Sequence, residues 1–288
     1  MKIGISMRRG ALDYARWGDE CYKKMKQHGF SCVDFNLSET ENFLYVSDWV
    51  TAESLLLKEK RLADEAGIKF SQVHGPWRYP PRDSSPQERE ERMEKMKKSI
   101  RAAALLGCQN WVVHPIMPYG IEDANTENAE KTWQLNTEFM SELLKTAKQY
   151  HVTVCLENMP MTNFSMSRPQ DILRFVQQIN DENFKICLDT GHVAVFPDLS
   201  LAEETRRLGK EIRVLHVHDN LCDQDSHLMP YFGKINWEPF GEALKEIDYK
   251  GVFSLETMPP ANLPADVFEE MCCNLCKIAK TIVNGIDD

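Results

Sequence analysis

With 288 residues, 42% of them hydrophobic, the chain can bury one large core or two small ones. A formal charge of −10 sets it against a general nucleic-acid surface, where phosphate has to be met with Lys and Arg. No stretch approaches the roughly 20 apolar residues that cross a bilayer, and MKIGISMRRGALDY lacks a signal-peptide apolar run, so no membrane partner and a soluble, cytoplasmic protein are expected.

Short apolar runs alternate with longer amphipathic segments along the whole chain. The expected strands are Lys2 to Ser6, Cys32 to Leu37, Lys69 to His74, Asn110 to His114, Thr153 to Glu157, Lys185 to Asp189, Ile212 to His218 and Val252 to Glu256. Helical patterns fall at 11–28, 51–66, 86–106, 126–150, 169–179, 200–210, 237–247 and 265–284. Ser85 followed by Pro86 and Glu88 predicts a capping box with proline in the first turn, and Ser167 with Gln170 repeats the spacing more weakly. Gly29, Gly67 and Gly107 stand where helices should stop. In the last helix Val267, Met271, Leu275, Ile278 and Ile282 mark one expected buried face. Nine cysteines without framework spacing read as reduced thiols, and Cys272, Cys273 and Cys276 fall in that helix as packing residues.

Eight strand-then-helix units predict an α/β fold, a single closed (β/α)₈ barrel over residues 1–288 with its active site at the C-terminal ends of the strands. No GxGxxG or Walker-type loop follows any strand, which argues against a doubly wound sheet. Proline-rich Gly75 to Pro86 lies within one strand-to-helix connection and reads as an active-site loop.

Histidines and carboxylates collect where that architecture would put chemistry. The third to eighth strands end at His74, His114, Glu157, Asp189 (with His192 close behind), His216 and Glu256, and the loop after the seventh adds Asp225 and His227. With His218 on the seventh strand, six of the eight histidines lie at or just past strand ends; the other two, His28 and His151, lie at helix ends and need no ligand role. The segment from Val214 to Trp237 is densest, placing His216, His218, Asp219, Asp223, Asp225 and His227 within a dozen residues. Imidazole mixed with carboxylate suits zinc or manganese. Nine donors exceed the about four to six that one ion accepts, so either two or three ions are held or part of the set binds substrate.

The segments VHGP, VVHP, LENMP, CLDTGH, HVHDN, DSHLMP and FSLET resemble, in order and over nearly the whole chain, the motif series of the xylose-isomerase-like barrels. That superfamily includes sugar isomerases and epimerases and the endonuclease IV group. The resemblance implies that Glu157, Asp189, His216 and Glu256 hold a single manganese-like ion as in ketose epimerases. With His74, His114, His192, Asp225 and His227 they also match the three-zinc set of endonuclease IV. One to three divalent ions are therefore expected. In DSHLMPYFGKINW, Gly233, Ile235 and Trp237 fit a form common among sugar-isomerase-like members, while Tyr231 replaces that form's first glycine.

Two mechanisms follow from these residues. In a sugar or sugar-phosphate isomerase or epimerase, Glu157 and Glu256 are the catalytic pair that removes and returns a proton next to a carbonyl. Trp77, Phe232 and Trp237 would wall the carbohydrate, His218 would lie behind the ligands or touch substrate, and Arg78 or Lys234 would hold a phosphate. A dehydratase is a variant of this chemistry. In the alternative, a zinc phosphoesterase acting on abasic DNA, Arg8 and Arg9 are the best candidates for backbone contacts, and few basic groups accompany them. Oligomeric state is not specified by any motif.

Overall fold

The computed structural model describes residues 1–8, 14–81 and 83–284; Arg9 and the side chain of Arg8 lie outside that description. Eight parallel strands form one sheet: β1 (Lys2–Arg8), β2 (Cys32–Asn36), β3 (Lys69–His74), β4 (Asn110–Val113), β5 (Thr153–Glu157), β6 (Phe184–Asp189), β7 (Ile212–His216) and β8 (Val252–Leu255). Each pairs with its sequence neighbour from β1 to β7, and β1 also pairs with β8. The ring closes where the Val217 amide donates to Ser254 O and the Glu256 amide to Val217 O, both at 2.9 Å. This is the (β/α)₈ barrel expected from the strand spacing.

The main connecting helices are α1 (Cys21–Gln27), α3 (Trp49–Ala66), α4 (Pro86–Leu105), α5 (Asn128–Gln149), α6 (Pro169–Ile179), α8 (Leu201–Leu208), α9 (Trp237–Glu246) and α10 (Ala265–Asn284). One-turn helices α2 (Phe43–Val46) and α7 (Thr190–Ala194) sit in the loops after β2 and β6. None of the described helices is long and apolar enough to cross a membrane.

Local chemistry explains several element ends. Ser85 Oγ accepts from the Glu88 amide at 3.2 Å and Glu88 Oε2 accepts from the Ser85 amide at 3.0 Å, which is the capping box read from sequence. Ser167 does not cap α6; its hydroxyl donates to Met161 O, and Arg168 takes the cap position. The expected helix over 11–28 is instead a 3₁₀ segment, Tyr14–Glu20, followed by α1, because Gly18 breaks the helical path with φ 49° and ψ −123°.

The buried face of α10 also differs from expectation. Val267 is 38% exposed, whereas Phe268, Cys272, Leu275, Cys276, Ala279 and Ile282 are buried. The thiols act there as small hydrophobes, and all nine cysteines are free.

The main core lies between strands and helices. Inside the barrel a small layer of Val112, Cys155, Cys187 and Val214 stands two residues before His114, Glu157, Asp189 and His216 on their strands. Side-chain alternation makes that layer the floor beneath the strand-end groups.

Ser85→Ala removes one half of the capping box and is expected to cost about 1 kcal/mol of stability. Thermal or urea unfolding followed by circular dichroism checks this, and an unchanged midpoint would show that the cap is not limiting.

Candidate metal centre

The strand ends deliver their donors to one mouth because parallel strands in register finish near one level. Asp189 stands beside His216 and Glu157 beside Cys187 in the ladder. Ligand atoms of Glu157, Asp189, His216 and Glu256 all lie within 4.8 Å of one another.

Glu157, only 1% exposed, is the hub. Its Oε1 is 2.8 Å from His216 Nδ1, and its Oε2 is 3.0 Å from His114 Nε2 and 3.5 Å from His74 Nε2. His216 Nδ1 is also 3.2 Å from Glu256 Oε2. Further out, Asp225 Oδ2 lies 3.2 Å from both His192 Nε2 and His227 Nε2.

Backbone carbonyls orient three of these imidazoles. The Nδ1–H groups of His74, His192 and His227 donate to Gly75 O, Asn158 O and Glu256 O at 2.7, 2.7 and 2.8 Å, which turns each Nε2 toward the mouth. The glycine of VHGP is required by close approach, since a Cβ on Gly75 would come 2.5 Å from the Trp111 ring. Asn158 braces Asp189 in turn: its Oδ1 accepts from the Asp189 amide at 2.8 Å and its Nδ2 donates to Asp189 O at 3.1 Å.

Charge and burial tune these groups in opposite directions. Burial opposes ionisation of Glu157, but His216 and His114 outweigh it and hold the carboxyl well below the usual range. Burial also opposes the charged form of His192, yet Asp189 and Asp225 raise it to about 10. Against the same burial, Asp225 and Glu256 raise His227 to about 9. At His114 burial prevails and lowers the imidazole to about 4.

The donor set fits a divalent cation. His74 Nε2 and His114 Nε2 face each other at 3.2 Å, both beside Glu157 Oε2, an arrangement of nitrogen lone pairs and anion that calls for a cation between them. The nine expected ligands are all brought to this mouth.

The expected substrate groups fare unevenly. Trp77 lines the cavity of about 120 Å³ over the donors, its ring edge-on to His114 at 4.6 Å, together with Asn36, Ser38, Met159 and Met161. Trp237 does not reach it: the indole is buried and donates to Asp219 Oδ2 at 3.0 Å, so this expectation is corrected. Lys234 and Phe232 are exposed and outside the cavity lining, and Arg78 faces a separate small cavity with Glu91. His218 is fully buried behind the donors, 3.0 Å from Asp189 Oδ2 and stacked on His227 at 4.0 Å. Gly191 makes room for it, since a Cβ there would come 2.0 Å from that ring.

Three groups were not singled out by sequence: Asn158, Asp34 and the organising role of Asp219. Asp219 accepts from the amides of Asn220, Tyr231 and Ile235 and from Trp237, and so folds the loop from 219 to 237 around one carboxylate. Tyr231 keeps a left-handed φ of 71° without being glycine, held by that bond. Asp34 lies within the apolar run CVDFN, and a charge at an inward strand position is the signal that marks it.

A family model described as xylose isomerase-like TIM barrel matches residues 22–271. The chain belongs to this family. It is similar to the crystal structure of a D-tagatose 3-epimerase-like protein, with 27% identity and a TM-score of 0.77, covering 99% of this chain and 98% of that one. A D-psicose 3-epimerase of Ruminiclostridium cellulolyticum is 28% identical over 169 residues, 58% of this chain and 53% of that enzyme, so the chain spans about half the length of that relative. A probable endonuclease 4 of Acholeplasma laidlawii is 24% identical over 217 residues, 68% of this chain and 72% of that protein.

The raised imidazoles yield a pH prediction. His192 and His227 carry protons at pH 7 in the ion-free protein, because pH 7 lies below about 10 and about 9. A cation taken by their Nε2 atoms must displace those protons, so zinc affinity is expected to rise with pH through that range. Calorimetry in buffers of different ionisation enthalpy counts the released protons, and His227→Gln is expected to lower the count by about one. An unchanged count would remove His227 from the ligands.

Proposed function

We propose that this protein is a divalent-metal-dependent sugar or sugar-phosphate isomerase or epimerase. The observation that carries the reading is the placement of two carboxylates from unpaired strands, Glu157 on β5 and Glu256 just past β8. Both come within 3.2 Å of His216 Nδ1 and both line one open cavity.

An ion held by Glu157, Asp189, His216 and Glu256 would polarise the carbonyl of a bound ketose and acidify the adjacent C–H. The two glutamates would then act on that carbon, one taking the proton and the other returning it, with an enediolate between the two transfers. Asn36 and Ser38 offer polar atoms to sugar hydroxyls, while Trp77, Met159 and Met161 supply an apolar wall. The similarity to ketose 3-epimerases supports this assignment.

A second reading, a zinc phosphoesterase acting on abasic DNA, is favoured by the gathering of His192 and His227 around Asp225 beside the inner set. It requires cleavage of abasic DNA by the zinc-loaded protein that is lost in His192→Ala.

For the isomerase reading, Glu157→Gln and Glu256→Gln are each expected to slow exchange of the substrate proton by about 10²-fold or more. Wash-in of solvent deuterium into a panel of ketopentoses and ketohexoses, with and without a phosphate, measures this, and elemental analysis monitors retained metal. Undiminished exchange in both variants would sink the assignment.

A further inference from the structure

Among the imidazoles of the mouth, His216 is oriented differently. His74, His192 and His227 give Nδ1–H to backbone carbonyls and present Nε2. His216 turns the other way: its Nδ1 faces Glu157 and Glu256, and its Nε2 lies 3.1 Å from Asp34 Oδ2. We propose that Asp34 is a positioning residue whose carboxylate takes the Nε2–H of His216, fixing Nδ1 as the donor to the ion and strengthening it. This rests on the metal-dependent reading above.

The bond crosses the barrel interior from β2 to β7, strands that are far apart in the sheet order. Both residues are fully buried, so no water competes for the contact. Gln72 on β3 holds the same oxygen, its Nε2 donating to Asp34 Oδ2 at 3.4 Å and to Leu215 O at 3.2 Å. On its other side the His216 ring lies parallel to His74, with centroids 5.6 Å apart and 7° between planes, which limits rotation.

Asp34 is costly as a structural residue. Its Oδ1 is buried without a partner, and a half-satisfied carboxylate in a barrel interior is disfavoured over an apolar side chain of similar size. The oxygen that is satisfied is the one on His216. A carboxylate on the remote N–H of a ligating imidazole sets its tautomer and raises its basicity. Asp34 thereby adds donor strength to a set that already contains three carboxylates.

The test uses the full-length protein labelled with ¹⁵N-histidine and zinc as the probe. Long-range ¹H–¹⁵N spectra of the zinc-loaded wild type are expected to show His216 protonated at Nε2 with zinc on Nδ1. Asp34→Ala is expected to lose that tautomer signature and weaken zinc binding about 10- to 100-fold. Asp34→Asn keeps an acceptor without the charge, so it is expected to retain the tautomer with a smaller loss of affinity, and it carries the test should Asp34→Ala fail to fold. Zinc on Nε2 of His216, or wild-type tautomer and affinity in both variants, would overturn the role of Asp34 and leave the metal-dependent reading standing. A wild type that takes up no divalent ion would overturn both.

Discussion

A buried carboxylate, Glu157, is the constraint around which the rest of the mouth is arranged. Removing an anion from water costs several kcal/mol unless it is paired and hydrogen-bonded. Glu157 is only 1% exposed and meets this demand with His114 on one oxygen and His216 on the other. No single element could supply both partners, since they lie 43 residues before and 59 residues after it. The barrel does so because β4, β5 and β7 end at one rim.

The rim also supplies what orients those partners. A carbonyl at the end of a strand has run out of ladder and is free to accept a side chain, and Gly75, Asn158 and Glu256 use theirs on histidines. The loop after β7 is pinned by one antiparallel bridge, Asp219 with Leu228, and the Asp219 carboxylate adds to it by collecting three amides and an indole. That loop carries Asp225 and His227, and Thr257 ties it to β8 by donating to His227 O at 2.7 Å.

The barrel was legible because each strand is a compact apolar run and each of its successors comes back with similar spacing. Six of the candidate donors, His74, His114, Glu157, Asp189, His216 and Glu256, were legible for the same reason, since a position at or just past a strand end already fixes the direction of a side chain, whereas His192 on α7 and Asp225 and His227 in the loop after β7 were read from their nearness in sequence. What failed was set by contacts remote in sequence. Asp34 finds its partner 182 residues away, inside a strand that otherwise reads as core. Trp237 has the composition of a sugar-binding wall, but Asp219 draws its indole inward. On α10 the expected face was partly legible: Leu275 and Ile282 are buried and Met271 and Ile278 pack against the core, but Val267 is exposed and Phe268, Cys272 and Cys276 share the buried side.

The imidazoles of the mouth differ in charge: His192, His216 and His227 are raised and His114 is lowered. Asp189, Asp225 and Glu256 keep His192 and His227 protonated at neutral pH, so protons balance the carboxylates there in the absence of any ion. The carboxylates therefore do not repel one another apart, and the geometry of that half exists before a cation arrives. His114 is different: burial lowers it to about 4, so it is neutral at pH 7. A cation beside Glu157 has to displace the proton that His216 carries, because Glu157 and Glu256 outweigh the burial of that ring, and one beside Asp225 must exchange for protons on two. Acidification accordingly competes with a cation in both halves, at His216 within the inner set and at His192 and His227 further out.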